Sequence, residues 1–240
     1  MKTEEYNKYL RQLQHIVYDQ LLPQLVMMKT ISKQASDFGV TIIEVEPLLH
    51  YVFAGLTHEI VLLIFRLFDE KNSDYNILHF IKYTKENVSV IKWKDTTAMS
   101  VASLDKQLEQ IASHKTRITM LSKQRNKHYA HYDKKYFFSP EALERDYPFS
   151  VNDAAELIIL LQKIIGEHSY ALNHSCRVCM DRVFEMAAYR LFSMLLEAHK
   201  QSRRNHQQSS PQSGICTSHL PEIMEHPSAI PVRRMPDDRE

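Results

Sequence analysis

Gln124-Arg125-Asn126-Lys127-His128-Tyr129-Ala130-His131-Tyr132-Asp133-Lys134-Lys135 sets a guanidinium, two amides, two imidazoles, two phenols and a carboxylate within twelve consecutive residues. Upstream of it, Leu104, Leu108, Ile111, Ile118 and Leu121 recur on a heptad-like seam, which predicts a long helix with Ser103 as N-cap. The steps 104, 111, 118 and 125 carry that buried stripe forward onto Arg125. An arginine aimed inward is costly unless an anion or a carboxylate meets it. Between residues 115 and 135, seven Lys or Arg (115, 117, 123, 125, 127, 134, 135) stand against one acid, Asp133. That local net of +6, in a chain whose total is +1, is the kind of concentration to which a polyanion responds. The same pattern also fits a solvated helix end, where cations oppose the negative end of the dipole.

These residue types suit metal-free cleavage of a phosphodiester. Imidazole moves protons near neutrality because its ordinary pKa is about 6.5. Guanidinium stays charged and offers a planar fork of donors to phosphate oxygens. His131 and Arg125 are the candidates for those roles, with Asn126 as a positioning amide. Six residues at about 100° each would separate Arg125 and His131 by roughly 120° on one straight helix. Both can serve one phosphate if the helix ends or unwinds between them, or if two chains each bring half a site; residues 136–140 carry a helix stop at Pro140.

The remainder of the chain reads as helices. With 44% hydrophobic residues a sizeable core can be buried, and four Gly with nine Pro, mostly outside the periodic stretches, favour long helices. A length of 240 residues allows one large domain or two small ones. Residues 4–30 show an apolar face (Tyr6, Tyr9, Leu10, Leu13, Ile16, Val17, Leu21) that Pro23 should kink or interrupt. A β-branched patch at 40–45 is expected as loop or short extended chain. Residues 47–69 form a helix with Pro47 in its first turn, apolar on most sides and so expected at the centre of the bundle. On it, Glu59 and His58 either pair internally or sit at an exposed edge, or else buttress the cationic cluster from a neighbouring helix.

A short helix at 76–83 leads to Trp93, which with Tyr83 and Lys82, Lys85, Lys92 and Lys94 serves either base stacking or core anchoring. Ser150 or Asn152 can cap a helix running to about 172, and 174–200 forms another. His174, Cys176 and Cys179 resemble a metal-ligand string, but with no matching second pair, buried small residues explain the cysteines better. No cofactor or metal is expected. Residues 201–240 turn to Gln, Ser, Pro, Arg and His and read as a disordered tail. The charged first twenty residues carry no N-terminal signal, and the run 60–65 is too short to span a bilayer. Three Cys (176, 179, 216) suit a reducing compartment. The expectation is a cytoplasmic protein with no membrane partner.

Arg125-Asn126 followed after four residues by His131 resembles the R-x(4–6)-H motif of the HEPN superfamily. The longer string Arg125–Lys135 looks like its abortive-infection U-type, or AbiU-like, branch. So does the upstream helix end, Leu62-Leu63-Ile64-Phe65-Arg66-Leu67-Phe68-Asp69. The resemblance spans about residues 5–200. It implies an all-α bundle of about five helices, 1–200, that forms a homodimer with two motifs meeting across the interface. It also implies metal-independent endoribonuclease activity on RNA, tRNA among the candidates, in phage defence or a toxin–antitoxin system with a cognate antitoxin. Some members have lost catalysis and act as binding modules, for RNA, a nucleotide or a protein.

On that template His131 serves as general acid or base for 2′-hydroxyl attack, leaving a 2′,3′-cyclic phosphate. Arg125 stabilises the phosphorane and Asn126 orients the phosphate. Lys127, His128 and Lys134 draw in the RNA backbone, and Asp133 orients an imidazole. Toxins silenced by a partner nucleotidyltransferase carry Tyr two positions after the motif His. Here that position is Asp133, which argues against tyrosine modification.

Overall fold

The computed structural model describes residues 2–70, 75–95, 99–129, 134–175 and 180–208, with the side chains of 128, 129, 137, 140 and 206–208 outside that description. Every regular element among them is helical: eleven α-helical segments and two π-helical turns. The fold is all-α, in more pieces than the five or so rods expected. Residues 1–200 form one compact unit.

The first rod runs as α1 (Lys2–Gln14), a π-helical turn (His15–Leu21) and α2 (Leu22–Asp37). Pro23 lacks an N–H and its ring would clash with the carbonyl four residues back. The wider i→i+5 turn upstream lets α2 restart with Pro23 in its first turn, where the missing donor does no harm. The interruption expected at Pro23 is thus a change of helical register before it. Gly39, at φ 61°, takes the left-handed position after α2. The patch expected as loop or extended chain instead makes one helical turn, α3 (Ile42–Val45), because Thr41 and Glu44 cap it reciprocally.

α4 (Pro47–Phe68) begins and ends close to expectation. It is central only in its second half: Ile60, Val61, Ile64, Phe65, Leu67 and Phe68 are buried, whereas Leu48 and Tyr51 are 66% and 72% exposed. By length and composition α4 could cross a bilayer, which the count of contiguous apolar residues overlooked. Its second half is occupied with the core.

α5 (Ile77–Asn87) is capped by Asn76 and runs four residues beyond the expected end. Trp93 beyond it donates Nε1–H to the Val88 carbonyl at 2.7 Å and sets its edge on Tyr6, so it is a core anchor rather than a stacking platform. α6 (Val101–Ser113) starts one turn earlier than expected, since Ser100 caps it and Ser103 is the reciprocal partner. It breaks at His114 before α7 (Lys115–Gln124), and Ser113 there turns its hydroxyl to the Gln110 carbonyl, the competition that weakens helix continuation.

A second π-helical turn (Arg125–Tyr129) follows, then α8 (Lys134–Phe138) and α9 (Pro140–Asp146). α10 (Val151–Asn173) starts under Ser150, whose hydroxyl accepts from the Asp153 amide while the Asp153 carboxylate takes the Ser150 N–H. The Ser150 hydrogen bonds, and then Arg117, hold the Asp153 carboxyl below the usual carboxylate range. Ser150→Ala is expected to lower stability by about 1 kcal/mol, read as a lower urea midpoint, with Ser150→Thr retaining most of it. His174 ends α10 in a left-handed conformation (φ 52°), so α11 (Asp181–Gln208) starts seven residues after the expected position. Cys176 and Cys179 lie outside the described residues, as does 209–240.

The main core joins α1, α2, α4, α5, α6, α7 and α10. It encloses a polar chain running from α1 through α10 to α6. The Tyr6 hydroxyl lies 2.8 Å from His168 Nδ1, His168 Nε2 lies 2.9 Å from Gln107 Oε1, and Gln107 Nε2 donates to Glu167 at 2.8 Å. Because the Gln107 amide nitrogen is engaged with Glu167, its oxygen accepts from His168 Nε2–H. Nδ1 is then the acceptor for Tyr6. His168 is fully buried, and burial pushes its pKa down to about 3, so the ring is neutral.

Candidate functional site

The α-helical register of α7 ends at Gln124, and Arg125 opens the π-helical turn that carries Asn126 and Lys127. This turn packs on α4. The contact that defines it is Arg125 over the Phe65 ring, with the guanidinium carbon 4.6 Å from the ring centroid. Phe65 is buried in the second half of α4, so the platform is rigid, and such a contact is worth about 0.5–2 kcal/mol. One terminal nitrogen of Arg125 donates to Asn126 Oδ1 at 2.8 Å. Among the described residues its Nε is buried without a hydrogen-bond partner. A half-buried arginine with an idle donor has the valence to accept an anion.

Gln124 is buried behind the turn and donates Nε2–H to the Tyr147 carbonyl at 2.8 Å, tying the start of the motif to the end of α9. Tyr136 of α8 packs with Ala142 and Leu143 of α9. Lys135 pairs with Asp146. That hydrogen bond is the main reason the Asp146 carboxyl lies below its ordinary range and the Lys135 ammonium above its own. Arg117 is held by Asp153 at 3.0 Å and by Glu156 at 2.7 Å. Two of the seven cations counted along the sequence are therefore neutralised by acids from α9 and α10. Lys115, Lys123 and Lys134 are exposed.

Of the expected site residues, Arg125 and Asn126 are joined by a hydrogen bond, and Lys127 stands half-buried in the same turn. Lys134 is the exposed first residue of α8. The backbone of His128 belongs to the π-helical turn, its side chain is not described, and His131 and Asp133 lie outside the described residues. His58 and Glu59 are exposed on α4. They stand seven and six residues before Phe65, about 10 Å along the helix axis from the ring under Arg125. The residues missed by the sequence reading are Phe65 and Gln124. Both stand in stretches already singled out, but their roles depend on which helix packs against which.

Among the described residues no group of three or more His, Cys, Asp or Glu is placed to hold a metal ion. The family model HEPN_AbiU2 (AbiU2) matches residues 46–200. No curated protein and no solved structure matches the chain. The matched span runs from α4 into α11 and includes the Arg125 turn and its Phe65 platform, while α1, α2 and α3, which supply core residues, precede it. The chain belongs to the AbiU2 family of HEPN domains.

Proposed function

We propose that this protein is a metal-independent endoribonuclease acting in phage defence or as the toxin of a toxin–antitoxin pair. The observation that carries the reading is Arg125: a guanidinium fixed over Phe65 with its buried Nε lacking an acceptor. A phosphate oxygen would complete it. In the reaction, His131 takes the proton of the RNA 2′-hydroxyl, whose oxygen attacks the adjacent phosphorus. The bond to the 5′-oxygen breaks, that oxygen receives a proton, and the products end in a 2′,3′-cyclic phosphate and a 5′-hydroxyl. Arg125 neutralises charge on the non-bridging oxygens of the phosphorane, where a preorganised donor counts most. Asn126 orients the phosphate, Lys127, His128 and Lys134 attract the backbone, and Asp133 orients an imidazole.

Two copies, each bringing one motif, would allow one His131 to act as base and the other as acid. The homodimer, the cytoplasmic setting, a cognate antitoxin and tRNA as substrate belong to the same proposal. The discriminating pair of variants is His131→Ala and His131→Lys. A nuclease loses cleavage in both, because lysine restores charge but not a group titrating near neutrality. If cleavage persists in His131→Lys at a third or more of the wild-type rate, His131 is only a cation for the backbone and the assignment fails.

A further inference from the structure

A cavity of about 590 Å³ opens next to the Arg125 turn, walled by Ile60 and Val61 of α4, Gln124 of α7, Leu143 and Glu144 of α9, and Phe149 ahead of α10. Two elements place it there independently. Val61 precedes Phe65 by four residues on the same face of α4, and Gln124 immediately precedes Arg125, so the wall lies about one turn, roughly 6 Å, from the guanidinium platform. The volume is that of an ordinary small-ligand site.

The side-chain polar atoms left over in this cavity are acceptors. Thr57 gives its hydroxyl proton to the Phe53 carbonyl. Both Asp153 oxygens are engaged, one by Arg117 and one by Ser150. Gln124 uses its amide nitrogen on Tyr147, which leaves the amide oxygen. Glu144, on the exposed side of α9, enters no hydrogen bond or ion pair among the described residues. We infer that the cavity is a base pocket for guanine: a flat purine between apolar walls, with its N1–H and N2 amino donors on the Glu144 carboxylate and its phosphate on Arg125. A carboxylate accepts from two adjacent donors at once on guanine. Adenine and cytosine bring one amino group to it, and uracil one imide N–H. The inference rests on the nuclease reading for its biological role, since it would direct cleavage to phosphates beside guanine.

The test is direct binding of GMP, AMP, CMP and UMP to the full chain by calorimetry, with Glu144→Ala and Arg125→Ala in parallel. The expected result is GMP bound at least tenfold more tightly than UMP, with that preference falling below twofold in Glu144→Ala. Arg125→Ala weakens all four nucleotides while the preference for GMP remains. Glu144 is a surface residue, so its variant folds; circular dichroism checks this. Equal binding of the four nucleotides, binding of none, or a preference that survives Glu144→Ala overturns the pocket. Cleavage of RNA is measured separately. GMP preference without cleavage keeps the pocket and removes the nuclease, whereas cleavage with equal nucleotide binding keeps the nuclease and removes the pocket.

Discussion

Arg125→Ala is expected to lower the rate of RNA cleavage by about 10³-fold, the order found when a preorganised donor to developing charge is removed. The stability cost is far smaller. The cation–ring contact with Phe65 is worth about 0.5–2 kcal/mol, and the Nε that loses its place had no partner to strand. Single-turnover rates and urea midpoints on the same preparations separate the two effects. Arg125→Lys recovers little, because an ammonium cannot lie flat on the ring and present a planar fork. A loss below tenfold with an unchanged midpoint would make Arg125 a structural cation.

Stability is expected to fall steeply in mild acid, and His168 sets the window. Its folded pKa, about 3, lies below the ordinary 6.5, so below pH 6.5 the unfolded chain binds a proton that the native chain refuses. The contribution is complete above pH 6.5 and is lost as pH falls, at up to about 1.4 kcal/mol per unit. Between pH 6.5 and 5 the loss is about 2 kcal/mol. The lowered carboxyl pKa values of Asp146 and Asp153 act in the same direction but further into acid. Urea midpoints across pH 5–7 test this, with His168→Gln expected to flatten the slope. Tyr6→Phe at pH 7 leaves His168 Nδ1 without its donor in the core and should cost about 1–3 kcal/mol. A wild-type midpoint constant from pH 7 to 5 would contradict the account.

Features whose chemistry is local were readable from the chain. Pro47 in the first turn of α4 and Ser150, one of the two caps expected for α10, act within four residues, and the structure places both elements accordingly. What escaped depends on how the backbone settles at particular turns and on packing between helices. The break at His114 separates α6 from α7, which the heptad seam reads straight through. His174 signals nothing by composition, yet its left-handed backbone ends α10. The charge count along residues 115–135 overstated the free cations because Asp146, Asp153 and Glu156 return from later helices. Phe65 was legible as part of a family-like string but not as the ring under Arg125. His168 carried one signal, a histidine in line with Ile164, Ile165 and Leu172 on a strongly apolar helix.

The central claim is metal-free cleavage at the Arg125–His131 motif. Purified wild type, Arg125→Ala and His131→Ala are incubated with total tRNA in EDTA, and the product ends are mapped. The account predicts cleavage by the wild type alone, with 2′,3′-cyclic phosphate and 5′-hydroxyl ends. Intact tRNA in all three samples, with RNA retained equally by wild type and variants, would contradict it and leave a binding module.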